Sequence, residues 1–310
     1  TTAVVCFSTG SAVARFGLTI SGTTISLSAN GSGSATNAPS TMRKLNSTQF
    51  LYLYWNGTNQ YISVGTHNGA SAPTFGTATA VFGSATNSFI GFGTWFDATP
   101  VSATAFIAVG SISGTTTQYR YGTISGTTIT VGTVSSAAYY NNANYIVNNY
   151  FSYAYSATDF GAVFWNSGQW GLEPGWYTFP LTVSGTTLTQ GTPARIDEVW
   201  AGQTPSQTYV NGSSGLAISQ TGTFIQLDAS TALLATTDTN RVARLKYIPT
   251  IGWKMVGMVA SSNQPLVYSI GALDSTTAVL LGASPVGTTN YISEPAALSS
   301  TYNNIVKLIA

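Results

Sequence analysis

The feature that most constrains this chain is a recurring tetrapeptide, Ser-Gly-Thr-Thr, set between stretches that alternate apolar and polar residues. It occurs at residues 21–24, 113–116, 125–128 and 184–187. Around the first copy, Leu18, Ile20 and Ile25 alternate with threonine and serine, a pattern typical of half-buried β-strands. Glycine at the first loop position supplies the positive φ of a type II′ turn. Each copy therefore predicts a β-hairpin.

Weaker copies of this hairpin extend the pattern over most of the chain. The six markers are Gly22, Gly69, Gly126, Gly185, Gly222 and Asp274. They define units of roughly 52 residues, close to the ~40–50-residue repeat of propeller blades, and four short strands fit such a length. The pattern predicts an all-β fold, a single β-propeller of six blades with four antiparallel strands each. Five or seven blades are the alternatives.

The two chain ends indicate how such a ring could close. Residues 307–310 continue into residues 1–10 as Lys-Leu followed by an apolar run and a glycine, and residues 44–57 also begin with Lys-Leu and end with glycine. An open array leaves strand edges unpaired, so we predict that the N- and C-terminal strands pair in one blade. The single domain, residues 1–310, would then consist of blades 295–310 plus 1–34, 35–83, 84–136, 137–193, 194–230 and 231–294.

Charged residues are scarce. They make up 6% of the chain, with a formal net charge of +1, against about 25% in typical globular domains. This gives no electrostatic reason to expect nucleic-acid binding. No uncharged apolar run reaches the ~20 residues of a transmembrane helix, so no membrane insertion is expected. A surface with few lysines and arginines offers trypsin-like proteases few sites, which favours an extracellular or particle-surface location.

The inventory of reactive side chains gives little indication of catalysis. The chain has one histidine, His67, one cysteine, Cys6, and nine carboxylates. No Gly-x-Ser-x-Gly motif precedes a predicted helix, and no Asp-x-Asp-x-Asp-Gly run marks a calcium loop. A triad assembled from distant residues, paired carboxylates and calcium ligation by separate Asp side chains stay open as alternatives. We expect a chain that is not an enzyme and has no cofactor or metal.

Aromatic residues gather in the predicted fourth unit and suggest a ligand site. Trp165, Trp170 and Trp176 accompany Glu173 within residues 164–176, and Trp200 follows in the next unit. An indole face stacks on the apolar face of a sugar, while nearby polar groups hold its hydroxyls. The alternative is packing between blades.

A second stretch, residues 139–149, is rich in tyrosine and asparagine and begins with Tyr139, Tyr140 and, after one residue, Asn142. Its composition is that of adaptable recognition surfaces, and the alternative is a polar loop leading into a strand. The predicted ligand-binding residues are thus Trp170, Trp165, Trp176, Glu173, Tyr139, Tyr140, Asn142 and Trp200.

Residues 16–28 and 121–132, with their Thr/Ser/Gly hairpins, resemble repeats of fibre, spike and adhesin proteins of tailed bacteriophages. The resemblance implies a virion surface protein that binds a host-surface glycan or receptor, contacts other virion proteins and is compatible with a homo-oligomer. It carries over no catalytic residues. A secreted lectin or adhesin and a glycan-cleaving propeller enzyme are the alternatives. Fucose-binding fungal lectins resemble the chain in expected architecture only, since no Arg/Glu/Trp set recurs in every unit.

Overall fold

The computed structural model consists of β-strands and their connections. It describes residues 2–8, 12–21, 24–28, 31–34, 39–56, 58–83, 96–112, 116–136, 150–166, 175–196, 222–236, 241–249, 251–260, 267–272, 277–282, 290–293 and 305–309. Over these ranges there are 27 strands, and the all-β prediction is confirmed. None of the described segments forms a helix long and apolar enough to cross a membrane.

The described strands form six sheets, each drawn from one continuous stretch of sequence. Sheet 1 contains β1 (Thr2–Ser8), β2 (Ala12–Ser21), β3 (Thr24–Leu27) and β4 (Gly31–Ser34). Sheet 2 contains β5 (Pro39–Lys44), β6 (Gln49–Trp55), β7 (Gln60–Thr66), β8 (Thr74–Phe75) and β9 (Thr79–Phe82). Sheet 3 contains β10 (Phe96–Ser102), β11 (Ala105–Ile112), β12 (Thr116–Ser125), β13 (Thr128–Val131) and β14 (Ser135–Ser136).

The remaining three sheets continue the same order. Sheet 4 contains β15 (Tyr150–Ala154), β16 (Phe160–Asn166), β17 (Gly175–Ser184), β18 (Thr187–Gln190) and β19 (Ala194–Arg195). Sheet 5 contains β20 (Gly222–Gln226), β21 (Thr231–Thr236), β22 (Arg241–Ile248) and β23 (Gly252–Ala260). Sheet 6 contains β24 (Val267–Ala272), β25 (Thr277–Gly282), β26 (Asn290–Ser293) and β27 (Ile305–Ile309). Sheets 2 to 4 exceed the predicted four strands because a short last strand also pairs with the third one.

Three of the predicted hairpin glycines have the positive φ that their turns require. Gly69, Gly126 and Gly185 have φ values of 79°, 63° and 61°. These values lie in the left-handed region of the backbone, which residues other than glycine rarely adopt. The hairpin tips also pack closely: a Cβ added to Gly132 would lie 2.2 Å from the carbonyl oxygen of Thr186. Glycine is therefore needed both at the turn and where the next tip docks. Gly22 and Asp274 lie outside the described residues.

A second kind of turn follows the first strand of sheets 2 to 5. In each, a side-chain oxygen accepts a hydrogen bond from the backbone N–H two residues later: Asn46 at 2.9 Å, Ser102 at 3.2 Å, Ser156 at 3.3 Å and Asp228 at 2.7 Å. Short polar side chains form such local bonds and so favour turns. The repeat thus fixes the turn after the first strand of a sheet, here called the inner turn, as well as the Ser-Gly-Thr-Thr hairpins. The inner turns of sheets 4 and 5 flank the site described below.

The fifth unit differs from its prediction. Gly222 begins β20, and the hairpin of this sheet instead joins β22 to β23 at Gly252, whose φ is 96°. Sheet 5 therefore spans residues 222–260, not the predicted unit 194–230, and sheet 6 spans residues 267–309. The Ser-Gly-Thr-Thr pattern is replaced here by Pro249 and Ile251 before the glycine, which concealed the turn.

The two terminal strands pair within their own sheets. β27 pairs with β25 on one side and, in parallel, with β26 on the other, while β1 pairs with β2. Both edges of β27 are thus occupied in sheet 6, and residues 2–34 supply four strands to sheet 1 by themselves. Among the described strands no pairing joins the two chain ends, and the predicted closure of the ring by the N- and C-terminal strands stays a prediction.

The chain divides into two compact units. Unit 1 comprises Thr1–Ile90, Thr94–Asn144 and Val183–Thr189, and unit 2 comprises Gly91–Gly93, Tyr145–Thr182 and Gln190–Ala310. The core of unit 1 lies between sheets 2 and 3 and includes Leu51, Leu53, Ile62, Phe82, Phe96 and Phe106. The core of unit 2 lies between sheets 4 and 5 and includes Phe151, Tyr153, Trp176, Phe224, Leu245 and Trp253. The single domain predicted over residues 1–310 stays a prediction.

Candidate functional site

Two of the predicted ligand-binding residues, Trp165 and Trp176, belong to the core of unit 2. They are opposite each other on β16 and β17, with ring centroids 5.9 Å apart in an edge-to-face arrangement. Only 3% of Trp165 and 0% of Trp176 is exposed. Neither indole presents a face to a ligand arriving from solvent. The structure thus corrects their assignment, and the packing alternative describes both.

The other predicted site residues lie outside the described residues, and their assignment stays a prediction. They are Trp170, Glu173, Tyr139, Tyr140, Asn142 and Trp200.

The described part of unit 2 contains a different candidate site, formed where the inner turns of sheets 4 and 5 meet. The side chain of Gln226, at the end of β20, bridges them. Its Nε2 donates to the carbonyl oxygens of Ala154 at 2.7 Å and Ala229 at 3.3 Å, and its Oε1 accepts from the N–H of Ala154 at 3.2 Å. One amide thereby holds the end of β15 beside the turn of the next sheet.

A carboxylate and two tyrosine rings lie at this junction. The hydroxyl of Tyr247, on β22, donates to Oδ1 of Asp159. The ring of Tyr155 stacks on that of Tyr247, with centroids 4.6 Å apart and 22° between the planes. Tyr155 and Asp159 are both half-buried. We call Tyr155, Asp159, Gln226 and Tyr247 the Asp159 site.

Local backbone bonds fix the position of the carboxylate. The N–H groups of Tyr155 and Ser156 donate to the carbonyl oxygen of Asp159 at 2.9 and 3.0 Å, and the N–H of Asp159 donates to Oγ of Ser156 at 3.0 Å. The turn between β15 and β16 is therefore closed from both ends. Asp159 is presented by a rigid turn, and its side chain is oriented by Tyr247.

Polar groups continue from the site into the core. The hydroxyl of Tyr153 accepts a hydrogen bond from Oγ1 of Thr178 at 3.3 Å, and both residues are 0% exposed. Burial raises the pKa of Tyr153 to about 12. Burial also raises the pKa of Tyr247, and the neighbouring Tyr153 and Asp159 raise it further. Both phenols are neutral hydrogen-bonding groups at neutral pH, which keeps Tyr247 available as a donor to the carboxylate.

This arrangement suits a hydroxyl-rich ligand. A carboxylate accepts hydrogen bonds strongly, and charge-assisted bonds are roughly twice as strong as neutral ones. An adjacent tyrosine ring offers an apolar face. The exposed Ser156 and Thr158 of the same turn add hydroxyls. Within the described ranges, no three His, Cys, Asp or Glu side chains are grouped to hold a metal ion.

In the sequence, Asp159 is one of nine carboxylates, and no motif singles it out. Its partners could not be inferred, since Gln226 lies 72 residues from Ala154 and Tyr247 lies 88 residues from Asp159. One local indication was present. Asp159 is a rare charged residue in a chain with 6% charge, at the end of a Ser-Ala-Thr turn and close to an aromatic residue.

Comparison with known proteins bears on the fold. No family model matches the chain, and no curated protein matches it in sequence. A protein from Lactobacillus plantarum shares 11% identity, with a TM-score of 0.60 over 99% of this chain and 83% of that one. A Bacteroides uniformis protein provisionally named a 6-phosphogluconolactonase shares 10% identity, with a TM-score of 0.57 over 99% and 82%.

A weaker likeness is to the Aleuria aurantia lectin bound to α-methyl-L-fucoside, with 12% identity and a TM-score of 0.48 over 85% of this chain and 79% of that one. The two likenesses with TM-scores above 0.5 describe the fold alone: the chain is an all-β protein of the β-propeller class, as predicted.

The scarcity of reactive side chains led to the prediction that the chain is not an enzyme, and that prediction is wrong. A fold shared over nearly the whole chain belongs to a protein named for lactonase activity. The small number of histidines and carboxylates therefore does not rule out catalysis.

Proposed function

We propose that the chain is a carbohydrate-binding β-propeller and that the Asp159 site holds the sugar. The observation that carries this proposal is the half-buried Asp159 carboxylate, oriented by the Tyr247 hydroxyl beside the ring of Tyr155. The carboxylate would accept hydrogen bonds from sugar hydroxyls, and the edge and open part of the Tyr155 ring would contact the apolar face of the sugar. Gln226 and the local turn bonds support a preformed geometry, which lowers the entropic cost of binding.

A glycan array, followed by calorimetric titration with the oligosaccharides it identifies, tests this proposal. Asp159→Asn should weaken binding at least ten-fold, since one charge-assisted acceptor is lost, and Tyr155→Ala should do the same by removing the ring. Asp228→Asn is the matched control. Its oxygen accepts the turn N–H groups of Ser230 and Thr231, and an amide oxygen keeps this role. Equal affinity of Asp159→Asn and the unchanged chain would rule the site out.

A second candidate function is the hydrolysis of a sugar lactone. It is favoured by the same partly exposed carboxylate, which could accept a proton from a water molecule attacking the lactone carbonyl, and by the name of the Bacteroides uniformis protein of like fold. The ring ester bond would break to give the open-chain acid. Acid release from δ-gluconolactone and its 6-phosphate, followed in a pH-stat, should exceed the spontaneous rate and lose that excess in Asp159→Asn. A rate equal to the spontaneous one for both lactones would reject this candidate.

The expected virion-surface location and contacts with other virion proteins are kept as part of the proposal. They are supported by the resemblance of the hairpin repeats alone. The genes flanking the coding sequence provide the test: capsid, portal or tail genes are expected, and neighbours of purely metabolic function would contradict a virion role.

A further inference from the structure

Arg120 is a cation for which unit 1 offers no counter-charge. The sequence of unit 1 contains one carboxylate, Asp97. That carboxylate is 0% exposed and pairs with Arg43 at 2.8 Å. Among the described residues, Arg120 itself has no ion pair. A cation that is partly removed from water and has no counter-charge destabilises a fold, so the stability of unit 1 gains nothing from this charge.

The guanidinium of Arg120 is partly enclosed and partly open. The residue as a whole is half-buried, and its Nε is buried without a hydrogen-bond partner. Burial lowers the pKa of Arg120 below the ordinary arginine value. The two terminal nitrogens make no hydrogen bond to a described residue and still contact solvent. These two nitrogens are therefore donors that a ligand can reach.

Gln118 lies beside Arg120 on the same face of β12. One residue separates the two, and alternate residues of a strand point to the same side, with Cα atoms ~7 Å apart. Gln118 is also half-buried, and its side-chain amide makes no hydrogen bond to a described residue. Their cross-strand neighbours on β11 are Gly110 and Ala108, which have no long side chains to cover them. Within the described part of the chain, a guanidinium and an amide are thus adjacent and open.

A third polar side chain lies at the same place on the facing sheet. This face of sheet 3 is directed towards sheet 2, since Ala108 belongs to the core between the two sheets. Gln60, on β7 of sheet 2, is 3% exposed, and its Oε1 has no hydrogen-bond partner among the described residues. That oxygen lies 2.6 Å from the position that a Cβ on Gly110 would take. Because Gly110 is the cross-strand neighbour of Gln118, polar groups of both sheets meet beside the arginine.

We propose that Arg120 and Gln118 form a second binding site, which recognises a singly charged oxyanion of a ligand, either a carboxylate or a sulfate ester. The terminal nitrogens of a guanidinium form a fork that matches two anionic oxygens. The amide of Gln118 donates to a further oxygen of the ligand. One cation and one neutral amide compensate a single negative charge. This Arg120 site does not depend on the proposed function of the Asp159 site, whose carboxylate repels anions.

Modification of the full chain with phenylglyoxal, followed by mass spectrometry of its peptides, tests whether the guanidinium is open. Phenylglyoxal reacts with accessible guanidinium groups, and the peptides identify each modified arginine. Arg120 should react several times faster than Arg43, whose guanidinium pairs with Asp97.

Protection from the same reagent tests the ligand. Glucuronate and glucose 6-sulfate carry a carboxylate and a sulfate ester at the same sugar carbon, and glucose is the neutral control. At least one of the two acidic sugars should slow the modification of Arg120, and this protection should weaken with added salt. The acidic sugar that protects at the lower concentration identifies the preferred group. Glucose should give no protection, whether or not it binds at the Asp159 site.

Two variants and one control connect binding to these side chains in titration calorimetry with the preferred acidic sugar. Arg120→Met keeps an unbranched stem and should weaken binding about ten-fold or more, since the charge-assisted bonds are lost. Gln118→Met should weaken binding about three-fold, the effect of one neutral hydrogen bond. Thr123→Val, at an exposed position on the opposite face of β12, should bind as the unchanged chain does.

Thermal unfolding separates this role from a structural one. Arg120→Met should unfold at the same temperature as the unchanged chain or at a higher one, because no partner in unit 1 loses its counter-charge. A clear loss of stability would show that the guanidinium serves the fold, and it would overturn the proposal. So would an Arg120 no more reactive than Arg43, a lack of protection by both acidic sugars, equal protection by glucose, or unchanged affinity in Arg120→Met.

Discussion

Replacing Gln226 tests whether its side chain connects the inner turns of sheets 4 and 5 or is an ordinary surface amide. Its side chain makes three hydrogen bonds, two with the backbone of Ala154 and one with the carbonyl of Ala229. Gln226→Ala removes all three and leaves partly buried backbone groups of sheet 4 to find other partners. Gln226→Glu keeps the shape but replaces the donating nitrogen with an oxygen that faces two carbonyl oxygens.

The expected loss follows from these bonds. A neutral hydrogen bond contributes about 0.5–1.5 kcal/mol net, and an unsatisfied buried group costs about 1–3 kcal/mol. Because the bridge is half-buried, Gln226→Ala should lower the free energy of unfolding by about 2 kcal/mol. Gln226→Glu should lower it further, since like-charged oxygens oppose each other. The control is Gln49→Ala, which removes one exposed bond to the Gly126 carbonyl at 3.2 Å and one local bond from Nδ2 of Asn46 at 2.9 Å. It should cost about 1 kcal/mol, less than Gln226→Ala.

Urea unfolding followed by tryptophan fluorescence provides the measurement, because Trp176 and Trp253 lie in the core of unit 2, to which this bridge belongs. The midpoint should shift with the slope unchanged. If Gln226→Ala were as stable as the unchanged chain, or Gln226→Glu no worse than Gln226→Ala, the amide would not hold the two turns together. The preformed geometry assigned to the Asp159 site would then lose its support.

Three other changes have defined outcomes in urea unfolding. Burial raises the pKa of Tyr153 to about 12. Its neutral form therefore contributes stability that is complete below the ordinary tyrosine pKa of about 10 and is lost as the pH rises towards 12. Between these pH values Tyr153→Phe should lose less unfolding free energy than the unchanged chain, and an identical loss would contradict the assignment. Gly132→Ala places a methyl group 2.2 Å from the Thr186 carbonyl oxygen and should destabilise more than Gly126→Ala, which meets open space but costs about 1–2 kcal/mol in its left-handed backbone; the reverse order would refute the close packing of the tips. Arg43→Met removes the cation paired with the buried Asp97 and should cost about 3 kcal/mol, part of which Asp97→Asn should restore in the double variant.

The repeated part of the fold was predictable from the sequence because its turns need particular residues. Gly126 and Gly185 adopt the positive φ expected of their Ser-Gly-Thr-Thr hairpins. The fifth unit was not predictable in the same way. Its turn glycine, Gly252, follows Pro249 and Ile251, so the composition changed while the backbone requirement for positive φ remained.

Burial and long-range pairing limit how much of the candidate site could be predicted from the sequence. The inner strands are apolar on both faces: β6 has five consecutive buried residues. Alternation therefore cannot separate a core indole from a ligand-facing one, and Trp165 and Trp176 were assigned to the wrong role. Asp159 acquires its role only through Gln226 and Tyr247, which sheet packing brings from distant parts of the chain.

The most direct test of the central claim is a crystal structure of the chain with an oligosaccharide identified on the glycan array. We expect a sugar hydroxyl within hydrogen-bond distance of the Asp159 carboxylate and the sugar ring in contact with Tyr155. A sugar bound elsewhere, with neither residue in contact, would contradict the assignment of the Asp159 site.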